Sequence, residues 1–242
     1  MRISCWQDPP QSLFLAAKQL HLWRIALPVT FPTHQPLKHM LSPDEASRAD
    51  RLLDRNKAAE FVVARSRLRQ ILANYLNIQA TELVFAYGPA GKPQLHAGLG
   101  SNLTFNLSHS GEWALLAVAA GTEIGVDLER IDPDLDFRAV AGKFFTPNEK
   151  ALLAHCSEAR RRRGFYRIWT RKEARLKRSG LGFTKVADHE AFCSAEPTRV
   201  FPIGKSYLGA IATCAEVSSI RRFQLLEPYP GELAGSRTSP CA

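Results

Sequence analysis

Two acidic residues, Asp127 and Glu129, stand two positions apart among apolar neighbours in residues 124–129. Side chains alternate between the two faces of a β-strand, so on a strand both carboxylates would point the same way, while Val126 and Leu128 point the other. Carboxylates side by side repel each other, and a hard divalent cation such as Mg²⁺ would offset that repulsion because it prefers carboxylate oxygens. The alternative is a pair of solvated acids on the polar face of a half-buried strand.

A second stretch, residues 169–177 (WTRKEARLK), predicts a helix that carries a third carboxylate. Trp169, Glu173 and Lys177 follow one another at four-residue spacing, so they would lie along one helical face. Trp169 is the expected buried anchor, and Lys177 would place a cation beside Glu173. The alternative is a surface Glu–Lys pair, which contributes only a few tenths of a kcal/mol.

The composition is that of a globular chain with a strong positive charge. The 242 residues suit one large domain or two small ones. The net charge of +9 predicts attraction to something anionic, such as nucleic acid, a phosphorylated small molecule, an acidic protein or a membrane surface. The five cysteines are scattered and never spaced as CxxC, so neither a disulfide framework nor a zinc site is indicated.

We expect a cytoplasmic protein without a membrane-spanning segment. Scattered cysteines suit a reducing compartment, and the N-terminal residues lack the basic-then-apolar pattern of a secretory signal. The best uninterrupted apolar run, residues 113–120, is too short to span a bilayer.

The elements that must position the acidic residues alternate between helices and strands. Residues 42–45 and 146–149 each read as a capped helix start with proline at the first helical position. Helices are predicted at about 58–76, with Phe61, Leu68, Ile71, Leu72 and Tyr75 as core contacts, and at about 163–178. Strands are predicted at about 19–29, 103–107, 113–118, 190–192, 207–214 and 223–226, and proline-rich or glycine-rich loops at 28–36 and 87–93.

The two halves of the chain show a possible internal duplication. At an offset of 104 residues, five positions match: Ser42 with Thr146, Phe61 with Phe165, Ser66 with Thr170, Arg67 with Arg171, and Leu72 with Leu176. We therefore predict an α+β protein with two similar α/β subdomains, whose cleft would form the active site. The expected division is 1–120 for the N-terminal subdomain, 121–227 for the C-terminal subdomain and 228–242 for a flexible tail.

Taken together, several of these stretches resemble the motifs of the Sfp-type 4′-phosphopantetheinyl transferases. The matching segments, in order, are residues 91–93 (GKP), 105–111 (FNLSHSG), 125–129 (GVDLE), 144–149 (FFTPNE) and 169–174 (WTRKEA). The resemblance covers roughly residues 42–215, and the motifs are highly specific as a set. It implies a pseudo-twofold arrangement of the two subdomains, each with a small, mostly antiparallel sheet packed with helices.

The resemblance implies an activity as well as a fold. Members of this family transfer the phosphopantetheine arm of coenzyme A to a serine of a carrier protein and release adenosine 3′,5′-bisphosphate. The carrier would be an acidic acyl or peptidyl carrier protein of fatty-acid, polyketide or nonribosomal-peptide synthesis. The metal would be Mg²⁺, with Mn²⁺ as an alternative, and a two-half chain is expected to act as a monomer.

Site roles follow from the same resemblance, position by position. Asp127, Glu129 and Glu173 would bind the metal, and Lys177 would hold the pyrophosphate. Glu149, Glu173 or Lys177 would act in catalysis as the group that takes the serine proton, although Glu149 has a competing role in the helix cap with Thr146. The implied coenzyme A ligands, besides Lys177, are Arg48, Arg65, Ser66, Lys92, Ser108 and His109.

Two local features bear on these assignments. Glu45 and Asp50 interrupt the basic residues around Arg48, and Phe183 stands where the family more often has leucine. The basic run of residues 160–163 is either a solvated loop or a docking rim for an acidic carrier.

Two rival hypotheses use the same residues. A basic nucleic-acid-binding protein or metal-dependent nuclease would also need positive charge and paired carboxylates, but no stacking aromatic series or nucleic-acid motif accompanies them. A non-catalytic scaffold would leave the acids exposed. We expect neither a nucleic-acid nor a membrane partner.

Overall fold

The computed structural model describes residues 2–27, 35–180, 197–214 and 216–226. Ten strands and five α-helices lie within these ranges, together with three short 3₁₀ turns. In chain order they are β1 (Arg2–Gln7), β2 (Gln19–Ala26), α1 (Pro43–Asp50), α2 (Arg55–Leu76), β3 (Phe85–Tyr87), β4 (Pro93–Leu95), β5 (Leu103–Ser110), β6 (Trp113–Ala120), β7 (Ile124–Arg130), α3 (Phe137–Phe144), α4 (Pro147–Ala154), α5 (Glu158–Ser179), β8 (Thr198–Ile203), β9 (Tyr207–Thr213) and β10 (Ser219–Leu225).

The strands form one larger sheet and two small ones. The five-stranded sheet has the order β1-β10-β2-β6-β5, in which β10 runs parallel to both of its neighbours and the other pairs are antiparallel. A three-stranded antiparallel sheet has the order β7-β9-β8, and β3 and β4 form a separate hairpin. The predicted α+β class with small, mostly antiparallel sheets is therefore confirmed.

The order of elements repeats along the chain. A strand, a short capped helix, a helix of 22 residues and an antiparallel strand pair occur as β2-α1-α2-β5-β6 and again as β7-α4-α5-β8-β9. Strand order agrees too, since β2-β6-β5 corresponds to β7-β9-β8. This repetition is what a duplication predicts. The pseudo-twofold arrangement and the cleft remain predictions.

The larger sheet draws on both ends of the chain. Strand β10 lies between β1 and β2, although its residues fall within the range expected for the C-terminal subdomain. The chain therefore crosses to the second half and returns to complete the sheet of the first.

The sheets are stacked, with a long helix on each outer face. Alternate residues of β2 divide between two cores: Trp23 and Ile25 pack towards α2, whereas Leu20 and Leu22 face the three-stranded sheet. From the other side Ile124, Val126 and Leu128 of β7 complete the core between the sheets. The odd-numbered side chains of β7 are left to face α5.

Most elements were predicted, with differences at their ends. Helix α2 begins at Arg55 because Asp54 caps it, and α5 begins at Glu158. Strands β1, β3, β4 and β8 and helix α3 were not predicted, and β3 and β4 flank the loop expected at 87–93. Part of the loop expected at 28–36, the strand expected at 190–192, Phe183 and the tail expected at 228–242 lie outside the described residues. None of the described helices is long and apolar enough to cross a membrane.

Candidate active site

Strand β7 and helix α5 approach each other closely enough to touch through their backbones. A Cβ atom on Gly125 would lie 2.0 Å from the carbonyl oxygen of Ala174 and 2.4 Å from the backbone nitrogen of Arg178. Only glycine permits this contact, because those neighbours are backbone atoms that cannot swing aside. The close approach brings the acidic face of β7 against the face of α5 that carries Glu173 and Lys177.

Asp127 lies at the centre of this contact and is almost fully buried. Its Oδ1 atom accepts hydrogen bonds from Lys177 Nζ at 2.6 Å and from Ser108 Oγ at 3.0 Å. Lys177 Nζ also donates to Ser108 Oγ at 2.7 Å. Lys177, expected beside Glu173, thus places a positive charge at Asp127. Three elements meet at this junction: β5, β7 and α5.

Glu129 is held by hydrogen bonds to both of its carboxylate oxygens. Trp169 Nε1 donates to Oε1 at 2.9 Å, and Ser110 Oγ donates to Oε2 at 3.3 Å. Trp169, predicted as a buried anchor, is half-buried and stacks on Phe165. Burial, and then the charge of Asp127, raise the pKa of Glu129 to about 7, against the lowering effect of Trp169 and Lys177.

Glu173 shares the same electrostatic environment. Burial first, and then repulsion from Asp127, raise its pKa to about 7, while Lys177 opposes the rise. Glu129 adds a further repulsion. Of the three carboxylates predicted as metal ligands, Asp127 therefore raises the pKa of the other two, and Glu129 raises that of Glu173.

The donor set fits a hard cation. Asp127 Oδ2 is buried and has no hydrogen-bond partner among the described residues, and burial first, then the charge of Asp127, raises the pKa of both Glu129 and Glu173. Oxygen ligands of this kind suit Mg²⁺ or Mn²⁺. In the described ranges, however, no three histidine, cysteine or acidic side chains already stand in metal-binding positions, so the ligand set remains a prediction.

His109 and an adjoining cavity extend the site. Burial, followed by the charge of Lys177, lowers the pKa of His109, and Glu60 opposes the effect. His109 therefore belongs to the electrostatic environment of Lys177, on the side of α2. A cavity of about 510 Å³ opens beside Glu129 and Trp169, with Tyr166 in its wall.

Three predicted coenzyme A ligands lie on α1 and α2, and each contacts another residue of this chain. Arg48 lies over the ring of Phe61 at 5.1 Å. Arg65 pairs with buried Glu45 at 3.3 Å. Ser66 is fully buried, and its hydroxyl donates to the carbonyl of Leu37 at 2.9 Å. Ser66 is a poor candidate for a ligand contact because a bound molecule cannot reach it in this conformation.

Lys92, also predicted to bind coenzyme A, connects the two halves. Its Nζ atom donates to the carbonyls of Ile124, where β7 begins, and Arg178, near the end of α5, both at 3.0 Å. Burial lowers the pKa of Lys92. A cavity of about 280 Å³ lies beside it.

Glu149 takes part in the predicted helix cap. Its carboxylate accepts from the backbone nitrogen of Thr146 at 3.0 Å, and Thr146 Oγ1 accepts from the backbone nitrogen of Glu149 at 3.2 Å. Lys172 Nζ, almost fully buried, pairs with the same carboxylate at 2.8 Å. The capping role is confirmed. The catalytic role remains a prediction.

Residues 160–163 lie in helix α5 and not in a loop, and three of their arginines contact neighbouring parts of the chain. Arg161 pairs with Glu158, and Arg162 donates to the carbonyls of Asp132 and Leu135, both at 2.8 Å. Arg163 donates to the carbonyl of Lys205 at 3.2 Å. Contact of these arginines with a carrier protein remains a prediction. Three of the four already bond a group within this chain.

Sequence reasoning missed the roles of Asn106 and Ser110. Both side chains contact β7, as does Ser108 between them. Polar residues at alternate positions of a strand share one face, but the same pattern is typical of an ordinary solvent face, so by itself it does not indicate contacts with a second strand.

Comparison with known proteins identifies the family. The model described as "4′-phosphopantetheinyl transferase, N-terminal" matches residues 31–121, and the model described as "4′-phosphopantetheinyl transferase superfamily" matches residues 123–225. The chain belongs to the 4′-phosphopantetheinyl transferase superfamily. The predicted resemblance is thereby confirmed, and the nucleic-acid and nuclease alternative receives no support.

Curated relatives agree with the family models. The 4′-phosphopantetheinyl transferase HetI of Nostoc sp. is 38% identical over 197 residues, which cover 81% of this chain and 83% of HetI. A putative 4′-phosphopantetheinyl transferase of Synechocystis sp. is 36% identical over 63% of this chain and 64% of its own length. The 4′-phosphopantetheinyl transferase psf-1 of Bacillus pumilus is 26% identical over 74% of this chain and 81% of psf-1.

Proposed function

We propose that this protein transfers the 4′-phosphopantetheine group of coenzyme A to a serine hydroxyl of an acyl or peptidyl carrier protein. The reaction would depend on Mg²⁺ and release adenosine 3′,5′-bisphosphate. The observation that supports this most directly is the junction of Ser108, Asp127 and Lys177, where an acidic strand and a basic residue of α5 meet. Membership of the transferase superfamily supplies the reaction class.

The acidic residues have a defined task in this proposal. Asp127, Glu129 and Glu173 would hold Mg²⁺, which supplies positive charge to the pyrophosphate as the bond to phosphorus breaks. Three carboxylates around one dication leave excess negative charge, so a further cation is needed for the pyrophosphate. Lys177 meets that need, because its side chain is partly exposed while Asp127 fixes the position of its ammonium.

The group that takes the serine proton is Glu173, Lys177 or Glu149. A base must come within hydrogen-bond distance of the hydroxyl, directly or through one water. Glu173 and Lys177 lie at the acidic face of β7, whereas Glu149 is buried between Thr146 and Lys172. We therefore favour Glu173 or Lys177 over Glu149.

Coenzyme A and the carrier protein would approach from the side of the first half. Ser108 contacts Lys177 and the charge of Lys177 acts on His109, and Arg48 and Arg65 add positive charge along that half. A chain with net charge +9 favours encounter with an acidic carrier. The site is assembled from both halves of one chain, so the proposal requires no second copy.

The proposal is tested by the intact mass of an apo acyl carrier protein after incubation with this protein, coenzyme A and Mg²⁺. We expect a gain of one phosphopantetheine group, lost when the metal is chelated. Asp127→Asn should lower the initial rate by about a hundredfold or more, since it removes a charge that holds both metal and Lys177. Coenzyme A binding is measured alongside by calorimetry.

Glu158→Gln is the matched control. It removes the same charge from an exposed position at the start of α5, where Glu158 pairs with Arg138 and Arg161, and should leave the rate unchanged. Absence of both transfer and coenzyme A binding in the unmodified protein would contradict the proposed function.

A further inference from the structure

Side chains of β5 take the place of a partner strand for β7. The backbone nitrogen of Val126 donates to Asn106 Oδ1 at 2.8 Å, that of Leu128 to Ser108 Oγ at 3.3 Å, and that of Arg130 to Ser110 Oγ at 3.0 Å. Donor and acceptor residues are 20 positions apart in all three bonds. Among the strands that the structure describes, β7 lies at the edge of its sheet, with β9 as its one neighbour. These bonds satisfy backbone donors that the edge would otherwise leave open.

The two serines each make a second bond, and it goes to an acidic residue. Ser108 Oγ donates to Asp127 Oδ1 at 3.0 Å, and Ser110 Oγ donates to Glu129 Oε2 at 3.3 Å. Each serine therefore holds one carboxylate and the peptide N–H that follows it. Asn106, the third of these β5 residues, makes no such bond to a carboxylate among the described residues. The equivalent position on β7 is Gly125, which has no side chain.

We infer that Ser110 is a positioning residue for Glu129. It acts through the carboxylate of Glu129 and through the N–H of Arg130. Without the hydroxyl, Glu129 would keep one described side-chain hydrogen bond, from Trp169, and its carboxylate could turn about that contact. The inference rests on the proposed function, because it takes Glu129 as a metal ligand.

Residues that orient a metal ligand through hydrogen bonds contribute substantially to affinity. Loss of one such partner typically weakens metal binding by about 10-fold to 100-fold. Ser110→Ala should accordingly weaken Mn²⁺ binding by about tenfold. Ser110→Thr keeps the hydroxyl and should restore most of the affinity.

The test uses the full chain and Mn²⁺ alone as the probe. Free Mn²⁺ is measured by electron paramagnetic resonance to give the dissociation constant, and amide hydrogen exchange at Arg130 is measured in the metal-free protein. Ser110→Ala should raise both the dissociation constant and the exchange rate, whereas Ser110→Thr should leave both near the values of the unmodified protein. All measurements are made well below the melting temperature of each variant.

Thr104→Val is the matched control. Thr104 lies on the same face of β5, and its hydroxyl donates to the carbonyl of Thr122 at 2.6 Å. Its loss removes a comparable hydrogen bond without reaching Glu129, so Mn²⁺ binding and Arg130 exchange should not change.

The outcomes separate the two proposals. If the unmodified protein binds Mn²⁺ and Ser110→Ala binds it equally well, Ser110 only satisfies the backbone and the inference is overturned while the proposed function stands. If the unmodified protein binds no Mn²⁺, the metal site of the proposed function fails and the inference fails with it. The inference is supported if Ser110→Ala shows faster exchange at Arg130 and weaker Mn²⁺ binding, while Ser110→Thr and Thr104→Val show neither change.

Discussion

At the scale of single residues, Gly125 determines whether the site can form. Gly125→Ala would place a Cβ atom 2.0 Å from the Ala174 carbonyl oxygen, so β7 and α5 would have to separate. We expect a loss of more than about 3 kcal/mol in the free energy of unfolding, at or above the upper end for overpacked sites. Urea denaturation followed by circular dichroism measures it.

The control for this prediction is another glycine. Gly142 lies within α3, and a Cβ atom there would meet nothing within 4 Å. Gly142→Ala should stabilise the protein by roughly 0.5–1 kcal/mol, because alanine loses less conformational freedom in a helix. Equal effects of the two substitutions would contradict the close-contact explanation.

Spacing alone predicted which residues share a face: Asp127 with Glu129 on a strand, and Glu173 with Lys177 on a helix. It left solvated surface charges as an alternative, and only the family resemblance indicated a site. The roles of Ser66 and Lys92 were not predictable, because each depends on a carbonyl far away in sequence. Sequence shows which residue types are present, whereas such partners appear only once the elements are packed.

At the scale of elements, a buried ion pair joins α4 to α5. Lys172→Met would leave Glu149 buried without its cation, and breaking such a pair typically costs about 3–5 kcal/mol. Adding Glu149→Gln removes the stranded charge and keeps the acceptor that caps α4, so the double variant should recover much of the loss. Thermal unfolding of both variants checks this.

The substitution Glu149→Gln, made alone, tests whether Glu149 is the catalytic base. Glu149→Gln alone should keep the turnover number, because we assign Glu149 to the helix cap and the pair with Lys172. A large fall in turnover with coenzyme A binding intact would instead identify Glu149 as the base. Activity is measured per folded molecule, so that instability is not mistaken for lost chemistry.

A second element-level feature is the buried contact between β2 and α2. His21 is fully buried, with Nδ1 2.6 Å from Tyr75 Oη and Nε2 2.8 Å from Gln19 Oε1. Burial, with a smaller effect of Arg221, lowers the pKa of His21 from 6.5 to about 4. The unfolded chain therefore binds this proton at higher pH than the folded protein does.

The buried, neutral His21 makes the folded protein less stable as the pH falls. The contribution of neutral His21 is fully present above pH 6.5 and is lost as the pH falls from 6.5 towards 4, by on the order of 3 kcal/mol. His21→Gln should flatten this part of the stability profile. His39→Gln, at an exposed histidine, should leave it unchanged. A steep profile in both variants would assign the acid sensitivity to other groups.

At the scale of the whole molecule, the repeated order of elements was predictable and the return of the chain was not. The offset of 104 residues correctly paired α1 with α4 and α2 with α5. Strand β10 was foreseen as a strand, but its place between β1 and β2 depends on long-range pairing. Hydrophobic pattern reports which face of a strand is buried and says little about its neighbours.

Lys92 provides a polar contact between the two halves that can be tested alone. Lys92→Met keeps the length of the side chain and removes both hydrogen bonds to Ile124 and Arg178. We expect a loss of about 2 kcal/mol in the free energy of unfolding.

Because β7 and α5 carry the acidic site, we also expect a lower turnover number with a nearly unchanged Michaelis constant for coenzyme A. If Lys92 instead binds the ligand, as the family resemblance implies, the Michaelis constant will rise and the melting temperature will stay where it is.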